Sequence, residues 1–347
     1  MARKRQRNPN LQGVLVLDKP AGITSHDGVA AIRTAMRLGK VGHGGTLDPF
    51  ATGVLPLMVN SATRIATLLT GDDKVYEGVG RLGVTTDTMD PTGTVTDESP
   101  VDGIDEAAIL GALAAFRGEI EQIPPMYSAA KVGGERLYKL ARKNVEVERK
   151  PKQVTIHELE LLSLDLPRFT FRVHCSSGTY VRALVDDAGR ALGCGGHLES
   201  LVRTRSGNFR LEDAVELDPI LQASDRFRDH ERDHPPLEDG RRWRWPHAEA
   251  SAWWVDELGP ALRPLPDALG LATVPLGPDA LAELRSGRPI RAGALPEPPV
   301  FEAGQTLLAV LPDGRTAAIV RSQCRSDLVP RMPPGTPVLQ IVRGLNP

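Results

Sequence analysis

Residues 42–53, GHGGTLDPFATG, place one aspartate, Asp48, in a stretch with very little side-chain bulk. Glycine allows positive φ angles and lets a ligand approach the backbone closely, whereas the proline after Asp48 fixes φ and removes a hydrogen-bond donor. These are the residue types of a loop that displays a carboxylate to a ligand. They are also the residue types of an ordinary tight turn, in which an aspartate accepts a local backbone hydrogen bond. The stretch alone leaves both interpretations open.

A second group of residues that could do chemistry is basic. Residues 131–152 contain eight lysines and arginines against three glutamates, whereas the whole chain has a formal net charge of -2. Met126, Tyr127 and Tyr138 lie among or beside these charges, and the mixture suits phosphate contacts combined with stacking on unpaired bases. Most charge runs are solvated helix faces, so this segment alone favours a nucleic-acid partner only weakly.

The sequence lacks the usual signatures of cofactor chemistry. Its three cysteines are far apart and form no CxxC pair, which favours a reducing compartment. The group His174, Cys175, Cys194 and His197 matches no standard ligand spacing for zinc, and the chain has neither a Walker loop nor a GxGxxG fingerprint. We therefore expect no metal and no other cofactor.

The sequence also lacks the signatures of a membrane protein. No apolar run approaches the roughly 20 residues that span a bilayer. The basic N-terminus, MARKRQRN, is followed by GVLVLDKPAG, where a signal peptide would need a longer apolar region. These features predict a cytoplasmic protein that has no membrane partner.

The elements that must position these residues are of both types. Strands are predicted over 14–17 and 168–175, helices over 26–36 with Ser25 as N-cap, over 105–116, over 180–192 and from about residue 61, and a hairpin over 75–95. Strands and helices do not alternate regularly. We therefore predict an α+β fold in which helices flank a mixed, largely antiparallel sheet.

The stretch DPTGTVT, residues 90–96, resembles the phosphorylated-aspartate signature of the cation-pumping ATPases. In that signature a lysine follows the aspartate, but here Pro91 takes its place. The chain also has no predicted membrane helices to host a transport path. We interpret the stretch as the turn of the hairpin.

The second part of the chain differs in composition. Residues 220–270 are charged, with alternating signs, and contain all four tryptophans: Trp243, Trp245, Trp253 and Trp254. We interpret this range as a linker or insertion whose tryptophans pack at a domain boundary, with a base-stacking platform as the alternative. We expect that excision of residues 221–260, with the ends joined by a short flexible linker, changes activity little. From residue 271, short apolar runs separated by Pro and Gly turns predict a small β-rich domain.

Five segments of the chain form one ordered set: VLVLDKPAGITSHD, GHGGTLDPFATG, KVYEGVGRLGVTTDTMDPTG, FRGEIEQIPPMYSAAKVGGERLYKLAR and HCSSGTYVRALVDDAGRALGCGGHLESLVRTRSG. In this order and spacing they resemble the TruB-type tRNA pseudouridine synthases, the family that isomerises uridine 55 in the T loop. The resemblance covers residues 11–215. Two departures stand out: Gly44 lies where the family usually has threonine, and residues 221–260 have no counterpart that we recognise.

The resemblance implies a domain organisation. A basic tail, residues 1–10, precedes a catalytic pseudouridine synthase domain at 11–219, which contains a basic RNA-binding insertion at 124–152. The linker or insertion at 220–270 leads to a domain at 271–347 that resembles, more loosely, the RNA-binding PUA barrel. The expected partner is the T stem-loop of tRNA, and we expect a monomer with no obligatory protein partner.

The resemblance also assigns roles at the site. Pseudouridine formation breaks the bond between N1 of uracil and C1′ of ribose and joins C5 to the same carbon, so a group must hold the base or the sugar meanwhile. A carboxylate can do so covalently, and by resemblance Asp48 is this nucleophile. Arg182 matches the cationic partner that keeps the carboxylate ionised in a dry pocket. Tyr76 would stack on the flipped uracil, and its hydroxyl is a candidate for proton transfer at C5.

Further residues are expected around the substrate. Tyr180 and Leu201 would wall the pocket. Lys19, placed with the substrate-binding residues, would brace the active-site loop, and His43 would occupy the space of the displaced nucleotide. Extruding a base from a folded loop costs a few kcal/mol, which phosphate contacts offset. The side chains expected to make these contacts are Lys131, Arg142, Arg203 and Arg205.

Two other classes of protein stay open. A guide-dependent synthase of the ribosomal-RNA modifying complexes would share the catalytic motifs but would need protein and guide-RNA partners. A non-enzymatic RNA-binding or RNA-folding protein would keep the basic segment without needing Asp48. Activity of the isolated protein on bare tRNA would distinguish a tRNA synthase from a guide-dependent one. A modification assay beside a binding assay would distinguish an enzyme from a non-enzymatic RNA-binding protein.

Overall fold

The computed structural model describes residues 11–345, apart from residues 142, 144, 146, 234–246, 296 and 313. The helices are α1 (Ser25–Ala35), α2 (Ala66–Thr70), α3 (Glu106–Ala114), α4 (Leu137–Ala141), α5 (Val181–Ala191), α6 (Leu217–Asp233), α7 (His247–Leu258), α8 (Leu265–Leu269) and α9 (Pro278–Arg285). Within this part of the chain, no helix combines the length and the apolar character needed to cross a bilayer.

The strands range from two to fourteen residues in length. They are β1 (Gly13–Lys19), β2 (Val41–His43), β3 (Thr52–Val59), β4 (Lys74–Leu82), β5 (Val84–Thr86), β6 (Val95–Glu98), β7 (Gly118–Gln122), β8 (Lys131–Val132), β9 (Glu135–Arg136), β10 (Lys152–Asp165), β11 (Arg168–Cys175), β12 (Gly196–Ser206), β13 (Phe209–Arg210), β14 (Val215–Glu216), β15 (Leu262–Arg263), β16 (Thr273–Pro275), β17 (Ile290–Arg291), β18 (Thr306–Val310), β19 (Thr316–Ser322) and β20 (Pro337–Gly344).

One sheet contains eleven of these strands and carries the candidate site. Its main strand order is β14, β1, β3, β12, β4, β11, β10, β7. β1 pairs with β14, and β3 with β12, in parallel, whereas the other neighbours in this order are antiparallel. The predicted mixed, largely antiparallel sheet with flanking helices is confirmed.

The periodicity of the sequence explains which face of this sheet is covered. Phe169, Phe171 and Val173 alternate along β11 and lie in the main hydrophobic cluster, which also contains Leu184 of α5. Alternate residues share one face of a strand, and residues three or four apart share one face of a helix. Tyr76 of β4 belongs to the same cluster. The candidate site therefore lies on the face of the sheet that the helices cover.

The described part of the stretch 220–270 is largely helical and packs against the main sheet. Phe227 of α6 and Trp254 of α7 lie in the main hydrophobic cluster, with ring centroids 5.8 Å apart. Trp254 is only 1% exposed, so it offers no platform for a base. Its burial also argues against the expectation that the stretch can be removed at little cost, because deleting a large buried side chain is destabilising. Trp243 and Trp245 lie outside the described residues.

The last part of the chain forms a second sheet of five strands, in the order β16, β18, β19, β20, β17. It has its own hydrophobic cluster, and a further cluster joins Met58 of the main sheet to Leu308 of this one. The Gln12 side chain strengthens the junction, because it donates to the Thr316 carbonyl and accepts from the Thr316 amide, both at 3.1 Å. The β-rich unit predicted after residue 271 is confirmed as a sheet that packs on the main one.

Candidate active site

Asp48 lies on the loop between β2 and β3, residues 44–51, termed here the Asp48 loop. The Ser25 hydroxyl, at the start of α1, donates to the Leu47 carbonyl at 3.0 Å and accepts from the Leu47 amide at 2.8 Å. The residue next to Asp48 is therefore tied to a helix of the core through both of its backbone polar groups.

Lys19, at the end of β1, braces the same loop. Its buried ammonium group donates to the carbonyls of Pro20 (2.8 Å), Ile23 (2.9 Å) and Pro49 (3.3 Å). These bonds use all three N–H donors of an ammonium group, so Lys19 acts on the loop and not on a substrate. Burial lowers the pKa of Lys19 to about 8, although the negative charge of Asp48 opposes this shift.

Arg182, near the start of α5, holds the Asp48 carboxylate. Its Nε lies 2.8 Å from Asp48 Oδ2, and its Nη2 donates to Oδ1 at 3.2 Å. Two parallel contacts of this kind fix both the distance and the orientation of a carboxylate. The Arg182 side chain is 4% exposed and that of Asp48 is 32% exposed. The carboxylate is thus fixed by a buried cation and remains open to a ligand on another side.

The far side of the Arg182 guanidinium is fixed as well. Nη1 donates to Asp90 Oδ2 at 3.1 Å and to the Thr88 carbonyl at 2.7 Å, and Nη2 donates to the Tyr127 carbonyl at 2.7 Å. Arg182 cannot turn away from Asp48 without breaking several of these buried bonds, each of which is expensive to leave unmade.

Asp90 is a site residue that the sequence pattern did not reveal. Its Oδ1 accepts from the Thr88 hydroxyl at 2.7 Å and from the Thr92 amide at 2.9 Å, as an aspartate in a turn does, and Oδ2 remains for Arg182. The interpretation of this stretch as a hairpin turn is confirmed, because β5 and β6 pair on either side of it. The turn chemistry of DPTG was the only local signal, and it does not reveal an arginine 92 residues further along the chain.

Neighbouring charges and burial set the pKa of Asp48. Burial has the largest effect and raises the pKa, the guanidinium of Arg182 lowers it, and the charge of Asp90 raises it again. The balance places the pKa of Asp48 above its ordinary value. The ionised carboxylate is therefore more basic than a solvated one, and Arg182 keeps it oriented.

Tyr76 lies near the centre of the main sheet, where it pairs with Val173 of β11 on one side and Arg203 of β12 on the other. Burial raises the pKa of Tyr76, whereas the nearby charge of Arg203 lowers it. The net direction is upward from 10, so the phenol stays protonated at neutral pH. The charge of Asp48 adds to the upward shift, which places the two side chains in one electrostatic environment.

Arg203 does not lie where an RNA phosphate could reach it. The residue is 1% exposed, and its guanidinium donates to the carbonyls of Val54 (2.7 Å), Gly45 (3.2 Å) and Thr46 (3.4 Å). This burial contradicts the prediction that Arg203 contacts phosphate, because such a contact needs N–H groups at the surface. Arg203 instead supports the Asp48 loop from inside the protein.

The other residues predicted to line the pocket lie on different elements. The Tyr180 amide donates to the Gln122 side chain at 2.7 Å, and the Tyr180 carbonyl accepts from it at 3.0 Å, directly before α5. Leu201 is buried in the hydrophobic cluster that contains Tyr76. His43 is half-buried at the end of β2. The roles of Tyr180, Leu201 and His43 toward a substrate stay predictions.

The predicted phosphate contacts of three further residues also stay predictions. Lys131 lies in the β8–β9 hairpin of the basic insertion, residues 124–152. Arg142 falls outside the described residues. Arg205 is half-buried and lies 3.2 Å from His174 Nε2 through its Nη2.

A cluster of possible metal ligands lies near Arg205. Asp73, His157 and His174 place one ligand atom each within 4.8 Å of one another. Arg205 pairs with Val75, the neighbour of the Tyr76 position in β4, and adjacent residues of a strand point to opposite faces. The cluster is therefore on the other side of the sheet from Asp48. The Arg205 guanidinium also competes for the imidazole nitrogen that a metal would need.

Two family models match most of the chain. Residues 33–181 match the N-terminal domain of the TruB family pseudouridylate synthases, and residues 182–269 match the tRNA pseudouridylate synthase B C-terminal domain. The second match spans residues 221–260, for which we recognised no counterpart from the sequence motifs.

Two proteins with similar sequences are both named tRNA pseudouridine synthase B. The tRNA pseudouridine synthase B of Opitutus terrae is 48% identical over 215 residues, which are 62% of this chain and 89% of that protein. The protein of the same name from Syntrophotalea carbinolica is 40% identical over 308 residues, which are 88% of this chain and 91% of that protein. A chain in a solved Cbf5-Nop10-Gar1 complex shares the fold, with 25% identity, a TM-score of 0.64 and coverage of 99% of this chain and 92% of that chain. The two family models and the sequence relatives show that the chain belongs to the TruB family of pseudouridylate synthases.

Proposed function

We propose that this protein isomerises uridine to pseudouridine at position 55, in the T loop of tRNA. The observation that carries the proposal is the Asp48 carboxylate, which Arg182 fixes through two contacts while 32% of the side chain stays exposed. The relatives named tRNA pseudouridine synthase B support the reaction and the substrate class. Position 55 and the nucleophilic role of Asp48 rest on the resemblance of the motifs around it.

The reaction is an isomerisation, so every atom of the product comes from the substrate. The N1–C1′ bond breaks, the C5–C1′ bond forms, C5 loses a proton and N1 gains one. Asp48 would form a transient covalent bond with C6 of the base or with C1′ of the sugar, which holds that partner while the base turns between cleavage of the N1–C1′ bond and formation of the C5–C1′ bond. No oxidant, reductant or group donor enters this balance.

The charges around the site favour negative charge on the substrate. Among the described residues, the buried charged side chains there are four cations, Lys19, Lys74, Arg182 and Arg203, and the carboxylate of Asp90, beside the partly exposed Asp48. A uracil that leaves C1′ takes the electron pair of the broken bond with it. Fixed cations in a dry site stabilise such charge without having to reorganise. The excess of buried positive charge therefore suits cleavage of the glycosidic bond.

We assign the remaining contacts with the nucleoside by position. Tyr76 stacks on the flipped uracil and takes part in proton transfer at C5, Tyr180 and Leu201 wall the pocket, and His43 fills the space of the displaced nucleotide. Tyr180 precedes Arg182 by two residues, and Leu201 shares a hydrophobic cluster with Tyr76, which supports these assignments. A base held in this way is read by stacking and by hydrogen bonds to its exposed edge.

The grip on the rest of the tRNA is assigned to surface groups outside the site. The basic insertion, Arg205 and the basic tail at 1–10 would contact phosphates, and the sheet after residue 271, as a PUA-like domain, would extend the contact along the tRNA. Such contacts offset the cost of extruding the base. We assign the protein a cytoplasmic location and a monomeric state without an obligatory protein partner.

Mass spectrometry or carbodiimide mapping of a T stem-loop transcript incubated with the purified protein tests the proposal. We expect conversion of uridine 55 without added guide RNA or protein, and no conversion by Asp48→Asn protein or in a transcript that carries cytidine at this position. Modification only after a guide RNA is added would favour a guide-dependent synthase instead. Binding without modification would favour an RNA-folding protein.

A further inference from the structure

Arg203 connects the two parts of the site that the reaction must hold together. In the register of the main sheet it pairs with Gly53 of β3 and with Tyr76 of β4. β3 is the direct continuation of the Asp48 loop. The Arg203 backbone therefore lies between the strand that leads away from Asp48 and the strand that carries Tyr76.

The Arg203 side chain holds the Asp48 loop on both sides of the aspartate. Nη2 and Nη1 donate to the carbonyls of Gly45 and Thr46, which precede Asp48, and Nε donates to the carbonyl of Val54, which follows it. One rigid, planar group thus joins the entry and the exit of the loop. A lysine ammonium on its flexible stem cannot reproduce this fork.

Two glycines of GHGGTLDPFATG suit this arrangement: Gly53 leaves room for the Arg203 backbone, and Gly45 contributes through its backbone conformation alone. Gly53 has a φ of +100°, and a Cβ there would collide with the Arg203 carbonyl oxygen and lie 2.8 Å from the Arg203 nitrogen. Gly45 has a φ of +133°, and a Cβ there would lie 3.7 Å from Arg203 Nη1. Both φ values are ones that L side chains rarely adopt. The loop therefore needs its glycines for Arg203 and for its own backbone, before any RNA is considered.

We propose that Arg203 is a positioning residue, which fixes the Asp48 carboxylate and the Tyr76 ring relative to each other without touching the substrate. Its 1% exposure separates this role from a phosphate contact. The kinetic part of the inference rests on the proposed function, whereas the structural part does not depend on it.

Hydrogen–deuterium exchange of Arg203→Lys tests the grip on the loop without reference to activity. The substitution keeps the charge and loses the fork, so we expect the amides of residues 42–56 to exchange about ten-fold faster, as after the loss of one buried hydrogen bond. Arg205→Lys, on the opposite face of the same strand, is the matched control and should leave residues 42–56 unchanged. Unaltered exchange there in Arg203→Lys, or acceleration spread over the whole chain, would overturn the proposal.

Single-turnover kinetics on a T stem-loop give the second measurement. We expect Arg203→Lys and Arg203→Gln to slow conversion about 10- to 100-fold, because displacement of reacting groups by about 1 Å has effects of this size. The Kd for the RNA should stay within about two-fold of the parent value. The dependence of log Kd on log salt should also stay unchanged, whereas removal of a side chain that neutralises a phosphate reduces this slope by about 1. A reduced slope with an unchanged rate at saturation would show that Arg203 contacts phosphate, and the proposal would fall.

The two variants also guard against a failure to fold. Arg203→Gln keeps two N–H donors and serves for the exchange experiment if Arg203→Lys does not fold. If neither variant folds, the residue is needed by the whole main sheet, and a specific positioning role is refuted. If the parent protein converts no uridine, the proposed function fails, and the exchange of residues 42–56 alone decides the role of Arg203.

Discussion

The Asp48 loop and the basic insertion at 124–152 both lie between regular elements, yet they are held in opposite ways. Buried Lys19 and Arg203 donate to carbonyls in and beside the loop, and buried Arg182 binds its carboxylate. The three residues lie on three different elements of the main core, namely two strands and one helix. The loop is irregular in backbone conformation but fixed in position.

The described contacts of the basic insertion are mostly short-range. The β8–β9 hairpin pairs Lys131 with Arg136, and Lys143 meets Glu135 at 3.0 Å with both side chains exposed. Exposed ion pairs contribute little to stability, because water screens them and the side chains lose entropy. A contact that reaches the site is the Tyr127 carbonyl, which accepts from Arg182.

Catalysis and RNA binding have different physical requirements. Covalent chemistry at one carbon needs atoms that are placed within fractions of an ångström, and buried directional bonds supply that precision. Attraction of a phosphate backbone needs charge near the surface and no single geometry. On the proposed function, the first region performs the reaction and the second holds the RNA. If this division holds, changes to the Asp48 loop should lower the rate of conversion, and changes to the basic insertion should lower the affinity for RNA.

Asp48→Asn should abolish the reaction and leave the rest of the protein intact. The amide keeps the shape of the carboxylate and one acceptor for Arg182, but its NH2 group cannot accept the second hydrogen bond, and it is no longer an anionic nucleophile. We expect conversion of the T-loop uridine below detection, with the melting temperature near that of the parent and RNA affinity within a few-fold. Conversion near the parent rate, or inactivity that accompanies loss of fold, would contradict the role of Asp48.

Gly53→Ala should disrupt the Asp48 loop at the point where it joins β3. A Cβ at position 53 meets the Arg203 backbone at a φ of +100°, so we expect destabilisation by about 2 kcal/mol or more and a large loss of conversion. The control is Gly103→Ala, since Gly103 has a φ of +82° with nothing within 4 Å of its Cβ position. Chemical denaturation compares the two variants. Equal effects on stability would mean that the approach of Arg203 is not what requires the glycine.

Removing charge from the basic insertion should weaken RNA binding and spare the chemistry. Lys139, Lys143 and Lys150 are exposed, and their joint replacement by Gln should raise the Kd and reduce the slope of log Kd against log salt by about 1 for each phosphate that a lysine no longer neutralises. The rate at saturating enzyme should stay within about two-fold of the parent rate. A reduced rate at saturation with unchanged affinity would place this segment in the chemistry and remove the division.

The buried ammonium of Lys19 should give stability a recognisable pH dependence. Its pKa is about 8 in the folded protein and 10.5 ordinarily, so the unfolded chain binds more protons between these values. Stability from this group therefore rises with pH from about 8 to 10.5. In urea titrations, the unfolding free energy of the parent should therefore increase relative to that of Lys19→Met as the pH rises from about 8 to 10.5, because Lys19→Met has no ammonium group that titrates in this range. A constant difference would show that Lys19 is not in this state when folded.

Gly44→Thr should have the smallest effect, although position 44 lies in the same loop as Asp48. A Cβ there would meet Leu69 and Pro56 at 3.5 Å or more, which is ordinary contact, and the Gly44 amide already donates to the Pro56 carbonyl at 2.9 Å. We expect a gain of about 0.4–1 kcal/mol from the smaller entropy of the unfolded chain, and conversion within about two-fold of the parent. A loss of activity above ten-fold would show that the glycine is required for function.

Local patterns predicted the elements well and their exact boundaries less well. The strand over 168–175 and the helices at α3 and α5 are within a residue or two of the predicted ranges. The predicted N-cap of α1 is wrong by one residue, since Thr24 forms a capping box with Asp27 and Ser25 is the first helical residue. Serine and threonine are both good caps. The hydroxyl of Ser25 instead bonds to Leu47, a partner that local sequence does not reveal.

Local composition and periodicity were enough to predict the mixed fold, and the family resemblance of the ordered motifs pointed to the segments that carry Asp48, Tyr76 and Arg182. Tertiary structure decided which polar side chains join them. Asp90 reaches Arg182 only once the hairpin and α5 are packed together.

The stretch RTRSG shows the same limit within three residues. Arg203 and Arg205 are two positions apart, so a regular strand would direct both to one face. An irregularity between them pairs Arg203 with Tyr76 but Arg205 with the adjacent Val75, which directs them to opposite faces of the sheet. Arg203 is buried against the Asp48 loop and Arg205 lies beside His174. The register with a neighbouring strand, more than a hundred residues away in sequence, sets this difference, and no local pattern in the arginines encodes it.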